Sequence, residues 1–487
     1  MIGITLCQGS VRAALSALVR CSLIVISTGV LTVISPATAS SHDIPFLSSA
    51  QLAPDYWLAR SKAPDQILRT PKQIAASNAQ LLNTLPDMLD LAKAPDAYSP
   101  QQLLTLINQS SALPKAARFY ADGKQLTPAD FTRYQNAMAL QTLADSSGAK
   151  AGTRVQAAYA LVTSRGIIRA FPTLDRVFND GMDTDIDRFQ ETAVFPGQPL
   201  QVLHYSQDRL WAFVRHYHYS GWLQVKHLAL TDKQTALDFA NNPDFLLVTG
   251  ARAFTNFTAE QPEVSEVALD MGVRLPLLKD FPALVHDQNP AFSYVVQLPV
   301  RRTDGTLALK PALVARSQDV RTGFLPLTRA NIIRQSFKFL GERYGWGHDY
   351  NARDCSGFIG EVFKTFGVLL PRNTSSLGKQ RFAAELQLDN ATAAEKAQAL
   401  SQTDTGDLLL IPGHVMLVLG RADDGQLFVI HSVNGLSYFH NNGQYYQSKL
   451  NGVSITPLLP LQLNQHTSYL QALYNIKSLT RETYAHP

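Results

Sequence analysis

The chain has 487 residues, of which 45% are hydrophobic and 17% charged, and its formal net charge is +4. This composition is typical of a globular protein with several domains and excludes a largely disordered chain. The charge is too small to indicate nucleic acid or a strongly anionic surface as a partner.

The first 39 residues have the order of a secretory signal. Arg12 and Arg20 precede an apolar run at 21–34, and Ala37 and Ala39 have the spacing of a cleavage site. We predict a signal peptide at 1–39, export to the periplasm or cell envelope, and no membrane span after processing. An uncleaved membrane anchor is the alternative.

Cleavage would leave a single cysteine. Cys7 and Cys21 precede the predicted cleavage site, so only Cys355 remains in the mature chain. Exported proteins usually pair their cysteines or avoid them, and one cysteine cannot form an internal disulfide. The pattern therefore favours a nucleophile at Cys355 over a cysteine that only packs as a small hydrophobe.

Residues 40–150 are predicted to be mostly helical. Apolar residues recur at helical spacing within 67–91, 101–109 and 128–143. No catalytic constellation is present there. We predict a helical domain that braces the rest of the chain.

A small β-barrel is predicted for residues 151–235. Strand-like segments at 194–204, 210–215 and 217–225 are separated by turn residues, a spacing typical of such barrels. Residues 236–325 have a similar but weaker pattern, which we interpret as a second barrel.

Four histidines in the first barrel suggest a metal site, but no carboxylate completes one at ligand spacing. They are His204, His216, His218 and His227. We predict no metal there.

From Thr328 onward the pattern predicts an α+β arrangement. A helix is expected at 331–342, and buried strands are expected at 407–411, 413–420 and 426–431. These strands would form an antiparallel sheet that carries the helix of Cys355.

Cys355 precedes a second helical pattern. The apolar residues from Phe358 to Phe366 recur at helical spacing, and Gly367 and Pro371 are stop signals. A helix N-terminus lowers the pKa of a thiol, and its free N–H groups stabilise an oxyanion. We therefore expect an activated thiol at the start of this helix.

Two histidines are candidates for the base that a cysteine nucleophile needs. If Gly420 and Gly425 flank a hairpin loop, His414 and His431 face each other across the two strands. Opposed side chains lie about 5 Å apart, so one histidine can take the proton of the thiol while the other holds it in place. Two buried histidines bonded only to backbone groups are the alternative.

Asp354, Tyr344 and Trp346 are candidates for substrate binding. A carboxylate beside the thiol would raise the thiol pKa, so Asp354 makes more sense as a partner for a cationic group of a substrate. A helix cap is its alternative role. Tyr344 and Trp346 lie on a glycine-flanked loop and would line a cleft, with core packing as the alternative.

The motifs Tyr-x-Trp-Gly, Asp-Cys-Ser-Gly-Phe, Leu-Pro-Arg-Asn, Gly-Asp-Leu-Leu-Leu-Ile-Pro-Gly-His and Val-Ile-His, in this order, resemble the NlpC/P60 cysteine peptidases. The predicted order of domains is similar to that of the γ-D-glutamyl-L-diamino acid endopeptidases of this family. The resemblance implies a multidomain α+β protein. Its papain-like catalytic domain at 326–487 would follow a helical N-terminal region at 40–150 and two small SH3-like β-barrels at 151–235 and 236–325.

The resemblance also implies the roles of single residues. Cys355 would be the nucleophile, His414 the base and His431 the orienting residue in hydrolysis of the bond between D-Glu and the diamino acid in peptidoglycan stem peptides. Asp354 would meet the free N-terminal amine of L-Ala in a subsite lined by Tyr344, Ser356 and Thr374. Glu191 and Tyr219 of the first barrel would close this subsite and exclude stems that are still linked to glycan. His348 and Thr374 depart from the common pattern, in which glycine and serine are usual.

We therefore expect a monomeric exported thiol hydrolase that uses no metal or organic cofactor and binds no nucleic acid. Another Cys-His chemistry on peptidoglycan, such as an amidase or a transpeptidase, is the second reading. A non-catalytic module that binds the cell wall is the third.

Overall fold

The structure is a computed structural model that describes residues 44, 47–149, 152–481, 483 and 484. The predicted signal peptide at 1–39 lies outside these residues. Within the described part, no helix is long and apolar enough to cross a membrane.

The N-terminal part is built from helices and two short strands, as the apolar spacing predicts. Three of the helices begin at a proline after a Ser or Thr cap, whose side chain exchanges hydrogen bonds with the third helical residue. The elements are α1 (Pro54–Arg60), α2 (Pro71–Thr84), β1 (Ala97–Tyr98), α3 (Pro100–Ser110), β2 (Phe119–Tyr120), α4 (Pro128–Ala137) and α5 (Gln141–Ala149).

A seven-stranded antiparallel sheet follows, with the strand order β11-β4-β8-β9-β10-β5-β7. Its residues Phe213 and Trp222 share a core with Leu103 and Ile107 of α3, so the helices pack directly on the sheet. The strands are β3 (Val155–Gln156), β4 (Ala158–Val162), β5 (Gly166–Arg169), β6 (Val177–Phe178), β7 (Gln190–Val194), β8 (Pro199–Tyr205), β9 (Trp211–His216), β10 (Tyr219–Gln224) and β11 (Leu228–Thr231). β3 pairs with β1, and β6 pairs with β2.

The next segment forms three small sheets rather than one continuous sheet. Strand β12 lies between β15 and β18, β13 pairs with β14, and β16 pairs with β17. The elements are α6 (Lys233–Ala240), β12 (Phe245–Val248), β13 (Arg252–Phe254), β14 (Ala268–Asp270), β15 (Arg274–Pro276), β16 (Ser293–Arg301), β17 (Leu307–Ala315) and β18 (Val320–Thr322). The domain boundaries at 235 and 325 stay a prediction, as does the second barrel.

The C-terminal part has a six-stranded antiparallel sheet with the order β19-β26-β20-β21-β22-β23. The helix that begins at Cys355 packs Phe358 and Val362 against Val415 and Ile430 of this sheet, as predicted. The elements are α7 (Arg329–Phe337), α8 (Cys355–Lys364), α9 (Thr374–Lys379), β19 (Ala384–Gln387), α10 (Ala393–Ser401), β20 (Asp407–Ile411), β21 (His414–Arg421), β22 (Leu427–Phe439), β23 (Tyr445–Pro457), β24 (Gln462–Asn464), β25 (Thr467–Ser468), α11 (Tyr469–Ala472) and β26 (Asn475–Ser478).

The predicted register between β21 and β22 is wrong. Leu417 pairs with Ile430, which shifts β22 by two residues relative to the register that placed His414 opposite His431. A bulge after Val418 takes up the additional residue near the hairpin loop. Because side chains alternate along a strand, a shift by two leaves both histidines on one face of the sheet.

Candidate active site

Cys355 is the first residue of α8, as its position before the apolar repeat predicts. Asp354 caps this helix, since its Oδ1 atom accepts a hydrogen bond of 2.8 Å from the Gly357 N–H. Only 6% of Cys355 is exposed. The backbone N–H groups of Val415 and Ser356 are close enough to favour its thiolate.

The surroundings of Cys355 do not activate the thiol in the way we expected. Burial, with a further contribution from the Asp354 charge, raises the pKa of Cys355 to about 12. The N–H groups of Ser356 and Val415 lower this pKa, but the loss of water outweighs them, so the expectation of an activated thiol is wrong. The resting side chain is a thiol, so it needs a base to take its proton.

His414 and His431 are in direct contact despite the shifted register. The Nε2 atom of His414 lies 2.8 Å from Nδ1 of His431, because diagonal neighbours on one sheet face are within reach of long side chains. Burial lowers the pKa of His414 to about 4 and that of His431 well below its usual value. Both imidazoles are therefore neutral near neutral pH.

Thr456 completes this pair, and sequence reasoning missed it. Its Oγ1 atom lies 3.0 Å from Nε2 of His431, on the neighbouring strand β23. If His431 donates to Thr456, its Nδ1 accepts from His414, and Nδ1 of His414 is left to accept a proton. In this arrangement His414 can act as a base.

Arg372 organises the other side of Cys355. Its guanidinium donates to Asp354 at 2.6 Å, to Ser356 at 2.8 Å and to Thr192 on β7 at 2.7 Å. Asp354 also accepts from the Gly347 N–H at 2.9 Å. The Leu-Pro-Arg-Asn motif contains this arginine, but its partners Ser356, Asp354 and Thr192 lie 16, 18 and 180 residues away along the chain.

Glu191 and Tyr219, on β7 and β10, form a pair next to this arginine. The Tyr219 hydroxyl donates to Glu191. Burial raises the pKa of Glu191 to about 7, although the Tyr219 hydrogen bond and the positive charge of Arg372 oppose this shift. Asn373, which follows Arg372, also contacts Tyr219 through its side chain.

The remaining predicted site residues lie at different depths. Burial raises the pKa of Tyr344 well above its usual value, and the nearby charge of Asp354 adds to this shift. Trp346 donates from Nε1 to the Gln190 carbonyl at 3.1 Å, which places it against β7. Thr374 is the first residue of α9 and follows Asn373 directly, but no contact of its side chain ties it to Cys355.

The loop before Cys355 has a side chain at position 348, where the backbone conformation favours glycine. His348 has φ of 67°, in the left-handed region that favours glycine. Its ring is buried against Gly357 and bonds to Glu361 at 3.0 Å through Nε2. These contacts hold a backbone conformation that costs energy for a residue with a side chain.

Within the described ranges, no group of three or more His, Cys, Asp or Glu residues is arranged to hold a metal ion. The histidines of the barrel have other surroundings. His204 contacts the Met138 carbonyl at 2.9 Å, and His227 contacts the Ser164 hydroxyl at 2.8 Å.

Parts of the chain match known protein families. Residues 341–455 match the NlpC/P60 family, and residues 172–224 match an SH3 domain of the SH3b1 type. The chain is 30% identical over 175 residues to the gamma-D-glutamyl-L-lysine dipeptidyl-peptidase of Bacillus cereus, a match that covers 34% of this chain and 45% of that protein. The match thus spans less than half the length of this relative.

The solved structure of an NlpC/P60 endopeptidase from Photobacterium damselae subsp. piscicida is similar in fold. The TM-score is 0.66 at 16% sequence identity, with 86% of this chain and 95% of that chain covered. The predicted fold class is confirmed. The chain therefore carries an NlpC/P60 domain on its C-terminal side, preceded by an SH3 domain of the SH3b1 type.

Proposed function

We propose that this protein is a cysteine endopeptidase of the cell envelope that hydrolyses the γ-D-glutamyl-L-diamino acid bond of peptidoglycan stem peptides. The observation that carries the proposal is the junction of α8 and β21. There the thiol of Cys355 lies beside the N–H of Val415, the residue after His414, and His414 is held by His431.

In this mechanism the Cys355 sulfur attacks the carbonyl carbon of D-Glu while its proton passes to Nδ1 of His414. The N–H groups at the start of α8 stabilise the oxyanion. His414 then returns the proton to the leaving amine as the C–N bond breaks. A water, deprotonated by His414, hydrolyses the thioester and restores the thiol.

The neutral resting state fits this sequence of steps. The thiol and both imidazoles are uncharged, since burial disfavours every charged form. Separation of charge would occur only when the bound substrate supplies the carbonyl that accepts the sulfur. Thr456 and His431 would stabilise the imidazolium form of His414 during the transfer.

The charges beside Cys355 support a substrate with a free amine. Asp354, Glu191 and Arg372 are two acids and one cation, so the group is negative when Glu191 is ionised. A cationic amine would restore neutrality. The name of the Bacillus cereus relative, a gamma-D-glutamyl-L-lysine dipeptidyl-peptidase, indicates such chemistry for that protein and supports it for this chain.

The experiment is digestion of two substrates followed by mass spectrometry, with Cys355→Ala as control. One substrate is free L-Ala-γ-D-Glu-diaminopimelate peptide, and the other is the same stem attached to muramic acid. Cleavage of the free peptide alone, abolished in the variant, supports the proposal with its free-amine requirement. Cleavage of both keeps the chemistry and removes that requirement.

A different product from either substrate would indicate an amidase or a transpeptidase. If neither substrate is cleaved and the protein still binds cell walls, the proposal is overturned in favour of a binding module. A Glu191→Gln variant tests the free-amine requirement separately from the identity of the cleaved bond. It should weaken binding of the free peptide and leave the cleaved bond unchanged.

A further inference from the structure

A cavity of about 560 Å³ lies at the end of α8 that is farthest from Cys355. It is enclosed by α2, by the loop before β8, by the end of α6, and by the segment that follows α8. Much of its wall is apolar and includes Ile74, Phe324 and Leu369. Its size is within the range of pockets that bind small organic molecules.

The polar part of the wall is cationic. Arg69, Arg274 and Lys364 line the cavity, and none of its described lining residues is an Asp or a Glu. The three side chains are partly buried, so each loses part of its hydration, and a group of opposite charge in the cavity would compensate for that loss. A cavity with three cations and no acid is therefore complementary to an anion.

Lys364, the last residue of α8, is the cation that most lacks a partner. Among the residues that the structure describes, it forms no hydrogen bond and no ion pair. Its ammonium lies only over the rings of Phe195 and Tyr217, at 5.5 Å and 5.9 Å. The nearby Glu361 is bonded to His348 and Arg353, and its charge acts on Lys364 without a direct ion pair.

Two further groups on the wall are incompletely satisfied. Arg274 donates to the Ala240 carbonyl at 3.0 Å and stacks on Phe245 and Phe324, with no carboxylate within ion-pair distance in the described ranges. The Nδ1 atom of His216 is buried and has no hydrogen-bond partner among the described residues. Both groups can serve a ligand with acceptor oxygens.

We propose that this cavity is a binding site for a small organic anion with an apolar body. The anionic group would pair with Lys364, and the apolar body would lie against Ile74, Phe324 and Leu369. Cys355 is at the other end of the ten-residue helix, about 14 Å away at 1.5 Å per residue. The site is thus separate from the proposed peptidase centre and does not depend on that function.

The test is calorimetric titration of the whole protein with octanoate, using octanol as a neutral probe of the same length. Octanoate should bind at one site, at least tenfold more tightly than octanol. In Lys364→Met, the affinity for octanoate should fall at least tenfold and approach that of octanol. Lys364→Arg, which keeps the charge, should retain most of the affinity.

Two more variants control this experiment. Lys62→Met removes an exposed lysine elsewhere and should leave the affinity unchanged. Ala75→Trp places a large side chain in the cavity from an exposed position of α2, so it should block both probes without disturbing the core, even if Lys364→Met fails to fold. Absent binding, equal binding of octanoate and octanol, or full binding by Ala75→Trp would each overturn the proposal.

Discussion

The ring of His431 and the hydroxyl of Thr456 lie 3.0 Å apart, with 1% and 0% of these residues exposed. They occupy the neighbouring strands β22 and β23. The contact links Thr456 to His414 through one intervening ring, so a residue remote from Cys355 can influence its proton transfer.

Thr456→Val should lower kcat about tenfold or more with little change in KM. The variant keeps the shape of the side chain but removes the acceptor of the His431 N–H, so the tautomer in which His414 is a base loses its support. Steady-state kinetics on the free stem peptide measures this effect. Thr456→Ser, which keeps the hydroxyl, should retain most of kcat, and an unchanged kcat in the valine variant would contradict the role.

Arg372→Met should reduce the free energy of unfolding by about 3–5 kcal/mol, the usual cost of breaking a buried ion pair. The guanidinium and the Asp354 carboxylate are both nearly inaccessible, and the variant leaves that carboxylate unpaired. Urea unfolding gives the value. Adding Asp354→Asn should recover part of the loss, because the uncompensated charge is then removed.

An exposed ion pair is the matched control for this measurement. Arg60 bonds to Asp423, whose side chain is 74% exposed. Arg60→Met should reduce the free energy of unfolding far less than Arg372→Met does, because water screens an exposed ion pair. Equal losses of unfolding free energy in Arg372→Met and Arg60→Met would contradict the larger contribution that we expect from the buried pair.

The KM for a peptide with a free amine should depend on the ionisation of Glu191. Burial raises the pKa of Glu191 from 4.5 to about 7, so its charge appears only as the pH rises through 7. The substrate amine loses its own charge near pH 8. KM should therefore pass through a minimum between about pH 7 and pH 8, and it should rise several-fold by pH 6.

Glu191→Gln should remove the acidic limb of this profile, since the amide has no charge to lose. KM of the variant should be high and nearly constant from pH 6 to pH 7.5. A profile with the same acidic limb in variant and parent would assign the limb to another group.

His348 should make the protein sensitive to acid. Burial lowers its pKa from 6.5 to about 4, so between these values the unfolded chain binds a proton that the folded chain does not. The free energy of unfolding therefore falls as the pH decreases through this window. The contribution is about 3 kcal/mol at the most, from 1.36 kcal/mol for each pKa unit.

His348→Asn isolates this contribution, because asparagine tolerates the left-handed backbone at this position. At pH 7 the variant should be less stable, since the bond to Glu361 is lost. Its deficit should shrink as the pH is lowered from 6.5 to 4 in urea unfolding experiments. A deficit that is constant over this range would contradict the assignment.

The local sequence alone predicted the elements that carry the site. The apolar spacing after Cys355 predicted α8, and the short apolar runs predicted β20, β21 and β22. This was possible because the spacing of apolar residues along the sequence differs between helices and strands. The motifs around Cys355, His414 and His431 were sufficient to indicate the family whose model matches residues 341–455.

Only the tertiary structure decided how the site is held together. The bulge after Val418 depends on pairing between strands, so no local pattern predicted the diagonal contact of the two histidines. Arg372 meets Asp354 across 18 residues of chain, and Thr456 meets His431 across 25 residues, separations that the period of a helix or a strand does not predict. The pKa of Cys355 is high because the fold removes its side chain from water. Burial of this kind depends on packing between distant segments and cannot be predicted from the local sequence.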